Sequence, residues 1–192
     1  MKENKLLYGI CKIIYSFLLK MLYRPKAKGK ENIPKEGSLI FAGNHRHAFD
    51  PVMVMSNTNR TVHFMAKEEL FKGLHGMLFN NLGLIKVYRD KIKNTTSIIE
   101  AEKVLQNAGT IGIFPEGTRN RTDKPLLKFK AGAVKLAKRT NTKIIPFVIR
   151  GKYKLFRKGL EIEFGEPIDI NQMDINYAND YLKNRILKLY ER

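Results

Sequence analysis

"SLIFAGNHRHAFDP", residues 38–51, passes from an apolar run into a polar stretch and ends on Asp-Pro. The run "SLIFAG" has the length and composition of a buried strand. Pro51 disfavours helical geometry at Asp50 and is itself suited to the first position of a helix. The stretch therefore reads as a strand, a loop over residues 44–50 and a helix beginning at Pro51.

Outward from it the same alternation continues. Strand-like runs are "TVHFMA" (61–66), "LIKVY" (84–88), "TIGIF" (110–114), "KIIPFVI" (143–149) and "LEIEFG" (160–165). Between and after them lie helical stretches: "EELFKGLHGMLFNNL" (68–82), "TTSIIEAEKVLQNAG" (95–109), "KAGAVKLAKRT" (130–140) and "YANDYLKNRILKLYER" (177–192). Gly109 is placed to supply a left-handed cap to the second of these. The alternation predicts an α/β fold: a single domain with a mostly parallel central sheet flanked by helices. Sites in such sheets form in loops at the carboxyl ends of strands. The loop that holds His45 and His47 occupies that position, and so does "PEGTRNR" (115–121).

The 192 residues suit one domain, and 36 Lys+Arg against 18 Asp+Glu leave a net charge of +18. That excess calls for an anionic partner: nucleic acid, an anionic membrane surface or a phosphorylated substrate. The single cysteine, Cys11, excludes an intramolecular disulfide. At the amino terminus, Leu6, Leu7, Ile10, Ile13, Ile14, Phe17, Leu18, Met21 and Leu22 gather on one half of a helical wheel. Lys2, Lys5, Gly9, Lys12, Ser16 and Lys20 fall on the other. Lys12 and Lys20 interrupt the apolar run short of the ~20 residues a span needs, and no cleavage site follows it. Two readings fit: an amphipathic helix in a membrane interface, or a helix packed on the protein's own core. The expected division is residues 1–30, an amphipathic membrane-associating helix with a basic linker, and residues 31–192, the α/β domain.

The loop itself admits three chemistries. His45 and His47, two apart, could bind a metal on an extended segment, but a catalytic zinc usually takes three protein ligands and no third histidine follows in the motif. A neutral histidine can accept a proton near neutral pH, and a carboxylate on its other nitrogen would fix the tautomer and stabilise the imidazolium; residues five apart, such as His45 and Asp50, could meet only through a bent loop. The third reading has Asp50 as a plain helix cap. In "FPEGTRNR", Gly117 permits a tight turn that gathers Glu116, Thr118 and Arg119, and a guanidinium suits bidentate phosphate binding. Arg89 follows a strand and could reach the same face.

Taken together these stretches resemble the glycerolipid acyltransferase family, most closely its bacterial 1-acylglycerol-3-phosphate acyltransferases. Asn44, His45 and Asp50 match its first block, Asn-His followed by four residues and Asp. Lys67, Glu69, Leu70, Gly83, Ile85, Val87 and Arg89 match the second, residues 114–119 the third (Phe-Pro-Glu-Gly-Thr-Arg), and Ile145, Pro146 and Phe147 the fourth. The blocks occur in order across residues 38–150. The sequence departs from the family at His47, often serine there, and at Leu74, often proline.

The resemblance implies that a fatty acyl chain moves from an acyl thioester, on acyl carrier protein or coenzyme A, to the free hydroxyl of 1-acylglycerol 3-phosphate, giving phosphatidic acid for phospholipid synthesis. His45 would be the general base, supported by Asp50. Arg89 and Arg119, with Lys67, would hold the acceptor's phosphate, and Glu116, Gly117 and Thr118 would shape the acceptor site. No metal or other cofactor is implied, since the thioester is already activated. Partners would be lysophosphatidic acid, the acyl donor and an anionic membrane surface, with the protein peripheral on the cytoplasmic face of the cell membrane. Another lysophospholipid acceptor is the alternative. A nucleic-acid-binding protein is the rival the charge supports, but no recognised binding motif accompanies it and the four blocks would go unexplained.

Overall fold

The computed structural model describes residues 3–88 and 91–192. Its strands are β1 (Lys26–Lys28), β2 (Leu39–Gly43), β3 (Val62–Lys67), β4 (Ile85–Val87), β5 (Thr110–Ile113), β6 (Ile144–Arg150) and β7 (Glu161–Phe164). The helices are α1 (Lys5–Tyr23), α2 (Asp50–Met55), α3 (Gly73–Asn81), α4 (Lys91–Gln106), α5 (Gly132–Thr140) and α6 (Ile175–Tyr190). The strands form one seven-stranded sheet in the order β1-β7-β6-β2-β5-β3-β4. Every pairing is parallel except β6 with β7. The mostly parallel α/β sheet expected from the alternation is therefore present.

Alternation along β2 divides the core. Leu39 and Phe41 face Leu19 of α1 and Met53 and Val54 of α2, with Phe147 of β6 and Phe164 of β7. Ile40 and Ala42 face the opposite layer, where Ala101 and Leu105 of α4, Ala133 of α5 and Leu182 of α6 pack. A parallel sheet covered on both faces reads as a continuous apolar run, as "LIFAG" does. Each large side chain so buried contributes roughly 1.5–3 kcal/mol. Pro146, which lacks an N–H, is tolerated in β6 because the ladder with β7 begins one residue later, at Phe147 opposite Phe164.

Four expectations need amendment. The segment read as a basic linker contributes β1, whose three side chains are all exposed; an edge strand held by backbone pairing to β7 has no apolar alternation to announce it. The helical reading of 68–82 divides into a 3-10 turn, Glu68–Phe71, and α3. The break falls where Lys72 is extended and Gly73 takes φ 67°. After α4 the left-handed residue is Ala108 (φ 55°), not Gly109. Gly109 is required instead by close approach, since a Cβ there would lie 2.6 Å from the Val104 carbonyl oxygen.

The fourth concerns α1, which docks through the side expected to face water. Lys12 Nζ donates to the Thr58 carbonyl (2.6 Å), Ser16 Oγ to Ser56 Oγ (2.8 Å), and the buried Tyr8 hydroxyl accepts from Val62 N–H (3.0 Å). Burial of Lys12 lowers its pKa. The apolar half points outward, with Leu6 75%, Ile13 72% and Phe17 64% exposed. By length and composition alone α1 could also cross a membrane.

Candidate active site

The loop leaving β2 begins with two devices that fix its direction. Gly43 passes so close to Phe147 that a Cβ would lie 2.5 Å from the ring. Asn44, fully buried, donates from Nδ2 to the Ile149 carbonyl (2.8 Å) and accepts from Ile149 N–H at Oδ1 (2.7 Å). Its amide thereby continues the β2–β6 ladder beyond the strand.

His45 follows. Its ring stacks on Phe114, with centroids 4.0 Å apart and planes inclined by 16°. Its Nδ1 lies 2.9 Å from Asp50 Oδ2. The same carboxylate oxygen accepts from the backbone N–H groups of Arg46 and His47 (both 2.7 Å), while Oδ1 accepts from the Tyr153 hydroxyl (2.8 Å). Asp50 is thus fully buried and surrounded by donors. A carboxylate so used has only acceptor capacity left, so Nδ1 carries the ring proton and Nε2 is the nitrogen available to take one. Burial and the neighbouring Asp50 charge push the Tyr153 pKa upward, which keeps its hydroxyl a donor.

The bent loop that brings residues five apart together is closed by Asp50 itself. Helix α2 starts at Asp50, with Pro51 in its first turn, and the carboxylate reaches back to the two N–H groups that precede it. His47 is arranged differently. Its ring stacks on Tyr153 (4.2 Å) and its Nδ1 accepts from Phe49 N–H at 3.3 Å. Only its main chain touches Asp50, so the geometry separates the two histidines where spacing alone left both open.

The second loop, after β5, is pinned to the first. Glu116, 4% exposed, accepts from His45 N–H at Oε1 and from Leu127 N–H at Oε2, both at 2.8 Å. Asn120 N–H donates to the His45 carbonyl (2.6 Å). Both peptide groups of His45 are therefore held by the PEGTRN loop. Burial raises the Glu116 pKa, against the lowering influence of those two N–H donors. Since both carboxylate oxygens serve the backbone, Glu116 acts here as the clamp between the loops.

Gly117 takes φ 66°, a left-handed conformation that favours glycine, and the Lys130 side chain crosses it; a Cβ would lie 3.0 Å from Nζ. Thr118, Arg119 and Lys130 are exposed. Lys67 is exposed at the carboxyl end of β3, at the same edge of the sheet as the His45 and PEGTRN loops, and pairs there with Val87 of β4. Arg89, two residues beyond Val87, lies outside the described residues. One side of the site is thus the half-buried His45 on a buried, hydrogen-bonded support, and the other is a rim of exposed cations and a hydroxyl.

Two contributors escaped sequence reasoning. Tyr153 stands 103 positions from its partner in a lysine-rich loop, where no spacing rule connects it to Asp50. Asn120, buried, accepts from the Thr122 hydroxyl and donates to the Lys124 carbonyl, which shapes the loop from inside. An Asn-x-Thr spacing, with Asn120 between the exposed Arg119 and Arg121, is its one sign in the sequence.

Known proteins resemble this chain in sequence and fold. A family model described as Acyltransferase matches residues 24–150. The 1-acyl-sn-glycerol-3-phosphate acyltransferase of Borreliella burgdorferi is 31% identical over 166 residues, covering 84% of this chain and 66% of that one. That of Haemophilus influenzae is 34% identical over 169 residues, covering 79% and 70%. That of Bacillus subtilis is 29% identical over 168 residues, covering 84% and 82%. The crystal structure of the 1-acyl-sn-glycerophosphate (LPA) acyltransferase PlsC from Thermotoga maritima superposes with a TM-score of 0.72 at 25% identity, over 98% of this chain and 80% of that one. With the family model matching well over half of its length and the fold shared throughout, the chain belongs to the Acyltransferase family.

Proposed function

We propose that the protein transfers a fatty acyl chain from an acyl thioester, on acyl carrier protein or coenzyme A, to the free hydroxyl of 1-acylglycerol 3-phosphate. The observation that carries this is the His45–Asp50 pair, held at 2.9 Å beside an exposed rim of cations. Relatives named as enzymes of this reaction support the choice of acceptor. Nε2 of His45 takes the proton from the acceptor hydroxyl as its oxygen attacks the thioester carbonyl. Asp50 stabilises the imidazolium so formed. Collapse of the tetrahedral intermediate expels the thiolate, which recovers the proton from His45, leaving phosphatidic acid and a free thiol. The thioester supplies the activation, so no metal or redox cofactor takes part.

On the acceptor side, Arg119 and Lys67, with Arg89, bind the phosphate, and Thr118 and the open turn at Gly117 shape the space beside it. Glu116 serves that site indirectly, through the loop it clamps. The outward apolar half of α1 lies in the surface of an anionic membrane on the cytoplasmic side. Although α1 is long enough to span, Lys12, Ser16 and Tyr8 fasten its other side to the domain, which favours a helix lying along the interface.

The test is direct: purified protein, labelled acyl thioester and lysophosphatidate, with phosphatidate as the readout and monoacylglycerol as the comparison acceptor. Phosphatidate formation with weak use of monoacylglycerol is expected. Equal use of both acceptors would overturn the cation assignment, and strong, metal-reversible inhibition by a chelator would overturn the metal-free mechanism.

A further inference from the structure

The connection between β6 and β7, residues 151–159, reads "GKYKLFRKG". It carries four cations and no acidic residue, and at its tip Leu155 is 57% and Phe156 63% exposed. The tip is a tight turn in which Arg157 N–H bonds the Lys154 carbonyl (3.2 Å) and Phe156 takes φ 56°. That conformation suits glycine or asparagine, and a bulky L-residue adopts it at a cost. Here the cost is incurred without burial, because the aromatic ring packs on little of its own protein.

The loop is also fastened to α1. Phe156 N–H donates to the Leu22 carbonyl at 2.6 Å, and the Tyr23 and Tyr153 rings meet edge to face at 5.4 Å. The exposed tip is therefore continuous with the carboxyl end of the outward apolar strip of α1, and its root, Tyr153, touches the Asp50 carboxylate.

We propose that residues 151–159 are a second lipid-contacting element, which inserts Leu155 and Phe156 into an anionic bilayer while the flanking Lys152, Lys154, Arg157 and Lys158 engage lipid phosphates. The inference rests on the interfacial placement of α1 given above. The combination favours a bilayer over a protein surface: an apolar tip within a ring of cations matches the boundary between acyl chains and anionic headgroups. Contact here sets the membrane plane beside the His45 loop, since Phe49 and Tyr153 lie between the two, their rings 6.3 Å apart.

The protein contains no tryptophan, so one introduced indole reports a single position. Phe156→Trp and, separately, Phe17→Trp in the full chain are mixed with phosphatidylcholine vesicles with and without phosphatidylglycerol, some prepared with brominated acyl chains. Retained melting temperature confirms the fold, and Leu155→Trp replaces Phe156→Trp if it does not. Blue-shifted emission and bromine quenching at both positions, stronger with phosphatidylglycerol, are expected. Quenching at Phe17→Trp alone overturns the loop proposal and leaves α1 standing; quenching at neither overturns both. An emission shift at Phe156→Trp on adding acidic acyl carrier protein, without quenching by vesicles, makes the loop a protein-docking element and also overturns the proposal. Leu155→Ser with Phe156→Ser is expected to weaken vesicle binding roughly tenfold or more. Unchanged binding in a protein of normal stability contradicts that.

Discussion

The two halves of the site are organised by opposite means. On the side proposed to handle the proton, Asn44, Asp50 and Glu116 are buried and every carboxylate oxygen has a donor. On the side proposed to bind phosphate, Lys67, Thr118, Arg119 and Lys130 stand exposed. A base must meet its proton within a few tenths of an ångström, which demands a rigid support. A dianionic phosphate can gather flexible cations around itself on arrival. Substitutions on the first side should damage both stability and turnover, whereas those on the second should damage recognition of the phosphorylated acceptor and leave the fold alone.

The largest effect is expected at His45. His45→Ala removes the base and should lower kcat by at least the 10²–10⁴-fold that general base catalysis supplies. Asp50→Asn should come close to it, by about 10⁴-fold as in other histidine sites. It should also lower stability by about 1–3 kcal/mol, because an amide cannot satisfy all the donors that converge there. Thermal melts beside single-turnover rates read both losses.

Glu116→Gln sharpens the comparison. It retains size but leaves either His45 N–H or Leu127 N–H without an acceptor, and should cost about 1–3 kcal/mol in stability together with a fall in kcat. A variant of normal stability whose KM for lysophosphatidate alone rises would instead place Glu116 on the acceptor. Arg119→Ala should act in the reverse sense. It should reduce kcat/KM for lysophosphatidate about 10–100-fold, the loss of a charge-assisted hydrogen bond worth about 1.5–3 kcal/mol, with the melting temperature unchanged. Arg89→Ala should behave likewise.

Smaller effects are expected from two aromatic neighbours. Tyr153→Phe removes one of the donors on Asp50 and leaves the others, so a fall of about tenfold or less in kcat is expected. His47→Ser should retain substantial activity, because the contact of His47 with Asp50 comes from its backbone N–H. A His47→Ser protein less active than His45→Ala would reverse the roles.

The legible and illegible parts of the molecule follow the same division by distance. Strands β2 to β7 are visible because burial on one or both faces writes apolar runs into the sequence. β1 is not, because an edge strand with exposed Lys26 and Lys28 is specified by backbone pairing alone. His45 and Asp50 can be read as a pair because Pro51 signals a bend in the four residues between them. Tyr153 cannot, since its proximity is created by the sheet. Helix α1 shows the limit of periodicity. Its wheel finds an apolar half correctly, but the docked half is chosen by hydrogen bonds that join Lys12, Ser16 and Tyr8 to partners forty or more residues away.

The central claim is that His45, oriented by Asp50, is the base for acyl transfer to lysophosphatidate. Its most direct test is the single-turnover rate of labelled phosphatidate formation by wild-type and His45→Ala proteins, matched for melting temperature and for vesicle binding. Rapid formation by the wild type and a loss of at least about 10²-fold in the variant is the expected result. Comparable rates in the two well-folded proteins would contradict the account.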